Sequence, residues 1–343
     1  MKRHALSFIL IFLSIILFFV LNLVLGTISI PLSSIWHVLW GGEDASEIWQ
    51  NIIWKSRFPQ TVTALVAGAG LSISGLQMQT VFRNPLAGPS ELGISSGAGL
   101  GVAFIILLSG SIGGTALSKL GLFGEVAVSV AAIGGAMVVM SVIIAISQRV
   151  KGNVVLLIMG VMIGYIATAV IGVLKFFSNE EDVRAYVIWG LGSFSKVSGG
   201  QVYTFAGIMA VLIPLSFLLI KTLNLMLLGE GYARNLGLNI KRARLYVITC
   251  SCVITAMITA YCGPVVFLGL AVPHLCRAIF VSSDHRILVP AVTLTGASLA
   301  LLCNLIARMP GFEGALPINS VTALIGAPVV ISVLFGKRKS EIS

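Results

Sequence analysis

The sequence predicts an all-α fold, a polytopic membrane protein of about ten transmembrane helices, and three observations carry that reading. Hydrophobic residues make up 57% of the chain and charged ones 10%, which leaves too little polar surface to clothe a soluble globule of 343 residues. The apolar residues gather into ten stretches, each near the ~20 residues that a bilayer core demands. The 22 Lys and Arg residues fall unevenly on the two ends of those stretches.

In chain order the spans read 5–25, 61–80, 92–110, 126–147, 153–174, 202–220, 245–262, 264–280, 287–306 and 317–335. The first follows Met1-Lys2-Arg3-His4; its apolar run is too long for the core of a secretory signal and no small-x-small cleavage site follows, so it is expected to stay as a span. In the third, Gly97 and Gly101, and beyond it Gly110 and Gly114, have the small-x-x-x-small spacing that lets helix backbones touch in lipid. The fifth goes further, with Gly160, Gly164, Thr168 and Gly172 recurring every four residues along one smooth face. That face fits a helix–helix seam and equally fits the bulk-free wall of a translocation path. The eighth span is short and carries His274 and Arg277 near one end.

Ten crossings leave both termini on one side. That side holds fifteen bases against four acids (Glu91, Glu230, Asp284 and Glu341), and the other holds seven bases against eight acids. The positive-inside rule then puts both termini in the cytoplasm of a bacterial inner membrane protein, with the whole of 1–343 as one transmembrane permease domain. The same distribution explains the pI near 9.6 and excludes nucleic acid as a partner, because the bases sit in short loops between spans and not on one folded face. Cys250, Cys252, Cys262, Cys276 and Cys303 lack metal-ligand spacing and read as packing residues, so no metal site is expected.

What is missing from the spans bears on mechanism. Ion-coupled transporters bury carboxylates, histidines or lysines near the midplane, and no span carries one there. No G-x-x-x-x-G-K-[ST] loop is present either, so no cofactor, nucleotide or catalytic residue is assigned to this chain. Uphill movement of a solute would therefore draw on a partner subunit. A secondary transporter and a non-transporting membrane scaffold are the alternative readings.

Three loop regions are long enough to fold. Between spans six and seven, 221–244 is expected to hold a short helix opened by Gly229 and closed by Gly237, with Glu230 and Arg234 paired at i,i+4 and Ala233 and Leu236 forming an apolar knob for a cytoplasmic partner. On the other side, 26–60 and 175–201 are the extracytoplasmic regions. In the second, Glu180, Glu181 and Asp182 start a short helix that ends at Gly190 and Gly192, with Trp189 at the membrane interface. Arg57 and Arg308 are cations at the outer margin, which could anchor their helices or pair with Glu43, Asp44 or Glu313.

The motifs resemble those of the FecCD-type permeases of ATP-binding-cassette importers for iron chelates, haem and cobalamin, nearly end to end. The stretches that carry the resemblance are Arg57-Phe58-Pro59 with Gly68-Ala69-Gly70-Leu71, Asn84-Pro85-Leu86-Ala87-Gly88-Pro89, Trp189-Gly190, Leu228 to Glu230, Gly263-Pro264 with Pro273-His274, Asp284-His285-Arg286, and Leu316-Pro317 with Gly326-Ala327-Pro328. The resemblance implies a type II importer architecture: a permease dimer, most simply a homodimer though a heterodimer is possible, two ATPase subunits using ATP and Mg, an extracytoplasmic solute-binding protein, and a metal-chelate cargo. It implies that Gly229, Glu230, Ala233, Leu236 and Gly237 couple to the ATPase and that Arg57 and Arg308 dock the binding protein. It also implies that the fifth and tenth helices line the path, which favours the wall reading of Gly160, Gly164, Thr168 and Gly172. Three positions depart from the family pattern: Gln60 stands where Arg is usual, Ala315 where Glu is common, and Asn319 where Gly is frequent.

Overall fold

The computed structural model describes residues 2–26, 28, 30, 31, 35, 38, 47–113, 122–150, 152–197, 199–309 and 315–340. The helices in order are α1 (Lys2–Val24), α2 (Glu47–Ile52), α3 (Phe58–Phe82), α4 (Ile94–Gly113), α5 (Leu122–Arg149), α6 (Asn153–Phe177), α7 (Glu180–Gly190), α8 (Gly200–Phe217), α9 (Ile220–Leu227), α10 (Glu230–Asn235), α11 (Ile240–Cys262), α12 (Leu268–Phe280), α13 (His285–Ala307) and α14 (Ile318–Ser340). Among the described residues seven helices are long and apolar enough to cross a bilayer, and α4, α12 and α14 add three shorter apolar segments. These ten coincide one for one with the ten predicted spans.

Apart from α8, with a mean hydropathy of 1.5 and 22% buried, hydropathy and position in the bundle run in opposite senses. α1 has a mean hydropathy of 2.9 and is 11% buried, whereas the segment ending in α3 has 1.3 and is 83% buried. Lipid is as apolar as a protein core, so a lipid-facing helix gains nothing from polar residues, while a central one can carry them if neighbours satisfy them. α3 does so. It packs against α13, α11, α12 and α8, and its Gln60, Ser74, Gln79 and Thr80 side chains bond to Asn304, Ser251, Arg277 or Leu270, and His285 respectively.

Close approach depends on glycine where backbones cross. A Cβ on Gly75 would sit 1.7 Å from the Gly269 carbonyl oxygen of α12, and one on Gly68 would sit 2.3 Å from that of Gly296 in α13. The predicted Gly97 and Gly101 contact is the α4–α5 seam, where a Cβ on Gly101 would lie 2.0 Å from the Ala131 oxygen. Gly114 lies outside the described residues. All five cysteines are buried thiols, as packing residues should be.

The eighth span differs from expectation. Helix α12 begins only at Leu268, because Gly263 adopts φ +76°, Pro264 has no N–H, and Phe267 adopts φ +71° in a tight turn closed by Leu268 N–H donating to the Val266 oxygen at 3.0 Å. A non-helical strip at this depth needs protein partners. Ser193 N–H donates to the Cys262 oxygen, and the Asn319 amide serves Val266 and Pro264. Trp189 likewise does not face lipid but packs in the core, 7% exposed and beside Tyr186.

Candidate functional site

The elbow between α8 and α11 is built as two short helices. Gly229 turns the chain at φ +106° into α10, and Gly237 at φ +84° ends it, with Leu238 N–H donating to the Ala233 oxygen and Gly237 N–H to that of Arg234. That double bond pattern is a Schellman stop, which requires a left-handed residue and so favours glycine. Ala233 is fully buried beneath the turn, while Leu228, Tyr232 and Leu236 are 56%, 61% and 55% exposed. The predicted knob therefore consists of Leu236 with Tyr232 and Leu228, and Ala233 is its foundation.

Three polar fastenings tie this elbow to the bundle. Arg83, in the left-handed position that ends α3, donates to the Met226 oxygen at 3.0 Å. Asn224 donates to Asp284 at 2.7 Å and accepts from the backbone N–H and Nδ1 of His285, whose Nε2 meets Thr80 of α3 at 2.8 Å. The backbone N–H of Arg286 and then Asn224 hold the Asp284 carboxyl below its ordinary pKa. The third fastening corrects the sequence reading: Glu230 pairs with Arg244 of α11 at 2.8 Å, not with Arg234. Arg244 is only 9% exposed at its side chain, so its charge needs a partner, whereas Arg234 stands in solvent and an i,i+4 surface pair would add only about 0.3–0.5 kcal/mol.

The four-residue stripe of α6 divides in two. Gly160 is buried, and a Cβ there would lie 2.9 Å from Leu92 Cα; one on Gly164 would lie 3.5 Å from Ser96 Oγ and 3.6 Å from Gly93 Cα. This half is a seam against the start of α4. Thr168 turns its hydroxyl back to the Gly164 oxygen at 2.9 Å and is exposed, and a Cβ on Gly172 would meet nothing within 4 Å. That half faces open space, as do Tyr165, Ile166, Phe176 and Phe177 of the same helix and Leu324 of α14.

At the end of the bundle opposite the elbow, the two predicted docking cations are covered. Arg57 is 1% exposed and donates to the carbonyl oxygens of Leu23 and Val24 at 2.7 and 2.6 Å and to that of Ile28. It caps the C-terminus of α1, where a cation suits the helix dipole. Arg308 is 8% exposed, and both guanidinium groups close on Gly26. Burial, and then the charge of Arg57, lower the Arg308 pKa to about 10. Glu43, Asp44 and Glu313, the acids that could pair with them, lie outside the described residues. Gln60 is satisfied without any charge: it donates to Asn304, which donates to Asn22, which in turn donates to the Leu301 oxygen.

Asn319 explains one departure in the sequence. Its amide donates to the Pro264 oxygen at 2.8 Å and the Gly190 oxygen at 3.3 Å and accepts from Val266 N–H at 3.0 Å, so one side chain joins the end of α7, the broken strip and the start of α14. Glycine could make none of these bonds. Ala315 is exposed and nothing in the structure explains it. The sequence signalled Asn319 only as an oddity and gave no sign of the Asn224, His285 and Thr80 chain, since its members lie more than 60 residues apart.

A family model described as the FecCD transport family matches residues 13–336. The chain belongs to that family. It is thus a multi-pass membrane transport protein, and its FecCD relatives include the hemin transport system permease protein HmuU of Yersinia pestis, 32% identical over 341 residues that cover 99% of this chain and 97% of that protein. The vitamin B12 import system permease protein BtuC of Klebsiella pneumoniae is 36% identical over 298 residues, covering 87% and 86% of the two chains. Among solved structures, one titled as an inward-facing conformation of a metal-chelate type ABC transporter superposes with a TM-score of 0.81 at 27% identity, over 95% of this chain and 97% of that one.

Proposed function

We propose that this FecCD chain is the membrane-spanning permease subunit of an ATP-binding-cassette importer that moves a metal chelate of the ferric siderophore, haem or cobalamin class, delivered by a solute-binding protein. The observation that carries the reading is the elbow: an exposed apolar surface at Leu228, Tyr232 and Leu236 on a support fastened through Arg83, Asn224 and Glu230 to α3, α13 and α11. A loop free to move would dissipate a push; this one passes it to the central helix. The cytoplasmic partner on that surface is an ATPase subunit, which uses the ATP and Mg, and both termini share its side of the membrane. The cargo class is supported by the names of the hemin and B12 relatives.

The exposed faces of α6 and α14 take a second copy of the chain, and the path runs between the copies along Thr168 and Gly172, past the seam at Gly160 and Gly164. Walls without ionised groups suit a bulky chelate, because strong fixed charges would hold it in transit. Arg57 and Arg308 serve the binding protein indirectly, by fixing the Leu23–Gly26 corner on which it rests. The deciding experiment is uptake into vesicles holding the chain and its ATPase with no ion gradient. Uptake that follows ATP supports the reading; uptake that needs a gradient and ignores ATP supports a secondary transporter.

A further inference from the structure

A cavity of about 610 Å³ lies at the end of the bundle away from the elbow, walled by α4, α5, α7, α8 and α11 and used by neither the path nor the coupling surface. Its walls are apolar at Ile106, Val128 and Ala260, and its charged members are Asp182 and Lys196, with Glu181 and Arg184 at the rim. Asp182 is 6% exposed, yet its carboxylate has no hydrogen bond or ion pair among the described residues. Its oxygens open into the cavity, where a cation can meet them. Lys196 donates to the Ile188 and Trp189 oxygens at 3.3 and 3.1 Å, which ends α7 and leaves its third N–H to spare. Asp182 and Lys196 do not pair with each other. The cavity thus presents one unmet negative and one incompletely used positive group above an apolar wall.

The surroundings say what can reach it. Helix α11 forms the floor through Ala260 and Tyr261, and α5 and α8, which flank it, are each only 22% buried and so face lipid. The cavity lies at the ends of the crossings, beside Val128 near the start of α5 and Ala260 and Tyr261 at the close of α11, which is headgroup depth. We propose that the cavity holds one aminophospholipid: its primary ammonium on Asp182, its phosphodiester on Lys196, and an acyl chain along Ile106, Val128 and Ala260. A quaternary choline headgroup has no N–H to give Asp182, and a glycerol headgroup has no cation.

The test is native mass spectrometry of the full chain after exchange into nanodiscs containing equal parts phosphatidylethanolamine, phosphatidylcholine and phosphatidylglycerol. One phosphatidylethanolamine per chain should be retained about tenfold over the other two, the worth of one charge-assisted hydrogen bond. Asp182→Asn should erase that preference and Ser129→Phe, which fills the cavity from α5, should remove the lipid, each with a thermal midpoint within a degree or so of the parent protein. Equal retention of all three lipids by the parent protein, no retained lipid, or retention unchanged in both variants overturns the proposal.

Discussion

Adding a methyl group at two points of the α6 stripe separates seam from path. At Gly160 the new carbon would lie 2.9 Å from Leu92 Cα and 3.0 Å from its Cδ2. Comfortable carbon contacts are about 3.5–4.0 Å, so the helix and the Leu92 backbone must part by roughly half an ångström. Overpacking of this kind costs about 1–3 kcal/mol, and the better helix propensity of alanine returns about 0.5–1, so Gly160→Ala should destabilise by roughly 0.5–2 kcal/mol. Gly172 has nothing within 4 Å, so Gly172→Ala should stabilise by up to about 1 kcal/mol, and Gly172→Leu should cost little stability while projecting bulk into the proposed path. The assay is twofold: the thermal midpoint of the purified chain, and ATP-driven uptake by the assembled importer. Gly160→Ala should melt lower with uptake per folded complex unchanged, and Gly172→Leu should melt normally with uptake reduced severalfold. A Gly172→Leu protein that transports at the parental rate would refute the assignment of the outer half of the stripe to the path.

Three further outcomes follow from the structure. Glu230→Gln removes the charge that faces Arg244 at 2.8 Å; because Glu230 is 40% exposed, the loss should be about 1–2 kcal/mol and not the 3–5 of a fully buried pair, read as a lowered thermal midpoint. Leu236→Asp should abolish co-purification of the ATPase subunit while leaving that midpoint unchanged, since Leu236 is 55% exposed. Burial lowers Lys196 to about 8 from an ordinary 10.5, with Glu181, Asp182 and Arg184 of α7 and Tyr261 and Cys262 of α11 around it. Between those values the unfolded chain holds the proton more tightly, so this group makes stability rise with pH there, while lipid retention should fall between pH 7 and 9 and persist in Lys196→Arg.

Much of the fold is legible in the sequence because a bilayer imposes a length and a polarity on every crossing. All ten spans were marked by apolar runs, and Gly229 and Gly237 marked the elbow because left-handed backbone leaves glycine as the ready choice. The partner of Glu230 was not legible: i,i+4 spacing favours Arg234, but burial of Arg244 decides the matter, and burial is a property of the folded bundle. The same holds for Arg57, whose carbonyl partners come from a different helix, and for Trp189, where an aromatic near a helix end reads as an interface anchor until its neighbours are known. The break at Gly263–Phe267 shows a Gly-Pro signal in the sequence, yet the amide that makes it tolerable belongs to Asn319, more than fifty residues on.

The central helix carries a consequence for biogenesis. α3 emerges second from the ribosome among the crossings and is the least hydrophobic of the seven long ones, yet the outside partners of Gln60, Ser74, Gln77, Gln79 and Thr80 all lie between Cys250 and Asn304. Until those last spans are synthesised, its amides and hydroxyls have no lasting company in the hydrocarbon. The nascent protein must therefore keep its hub waiting at the translocon or in a provisional hairpin, and a chain truncated before α11 should lose the hub from the membrane first.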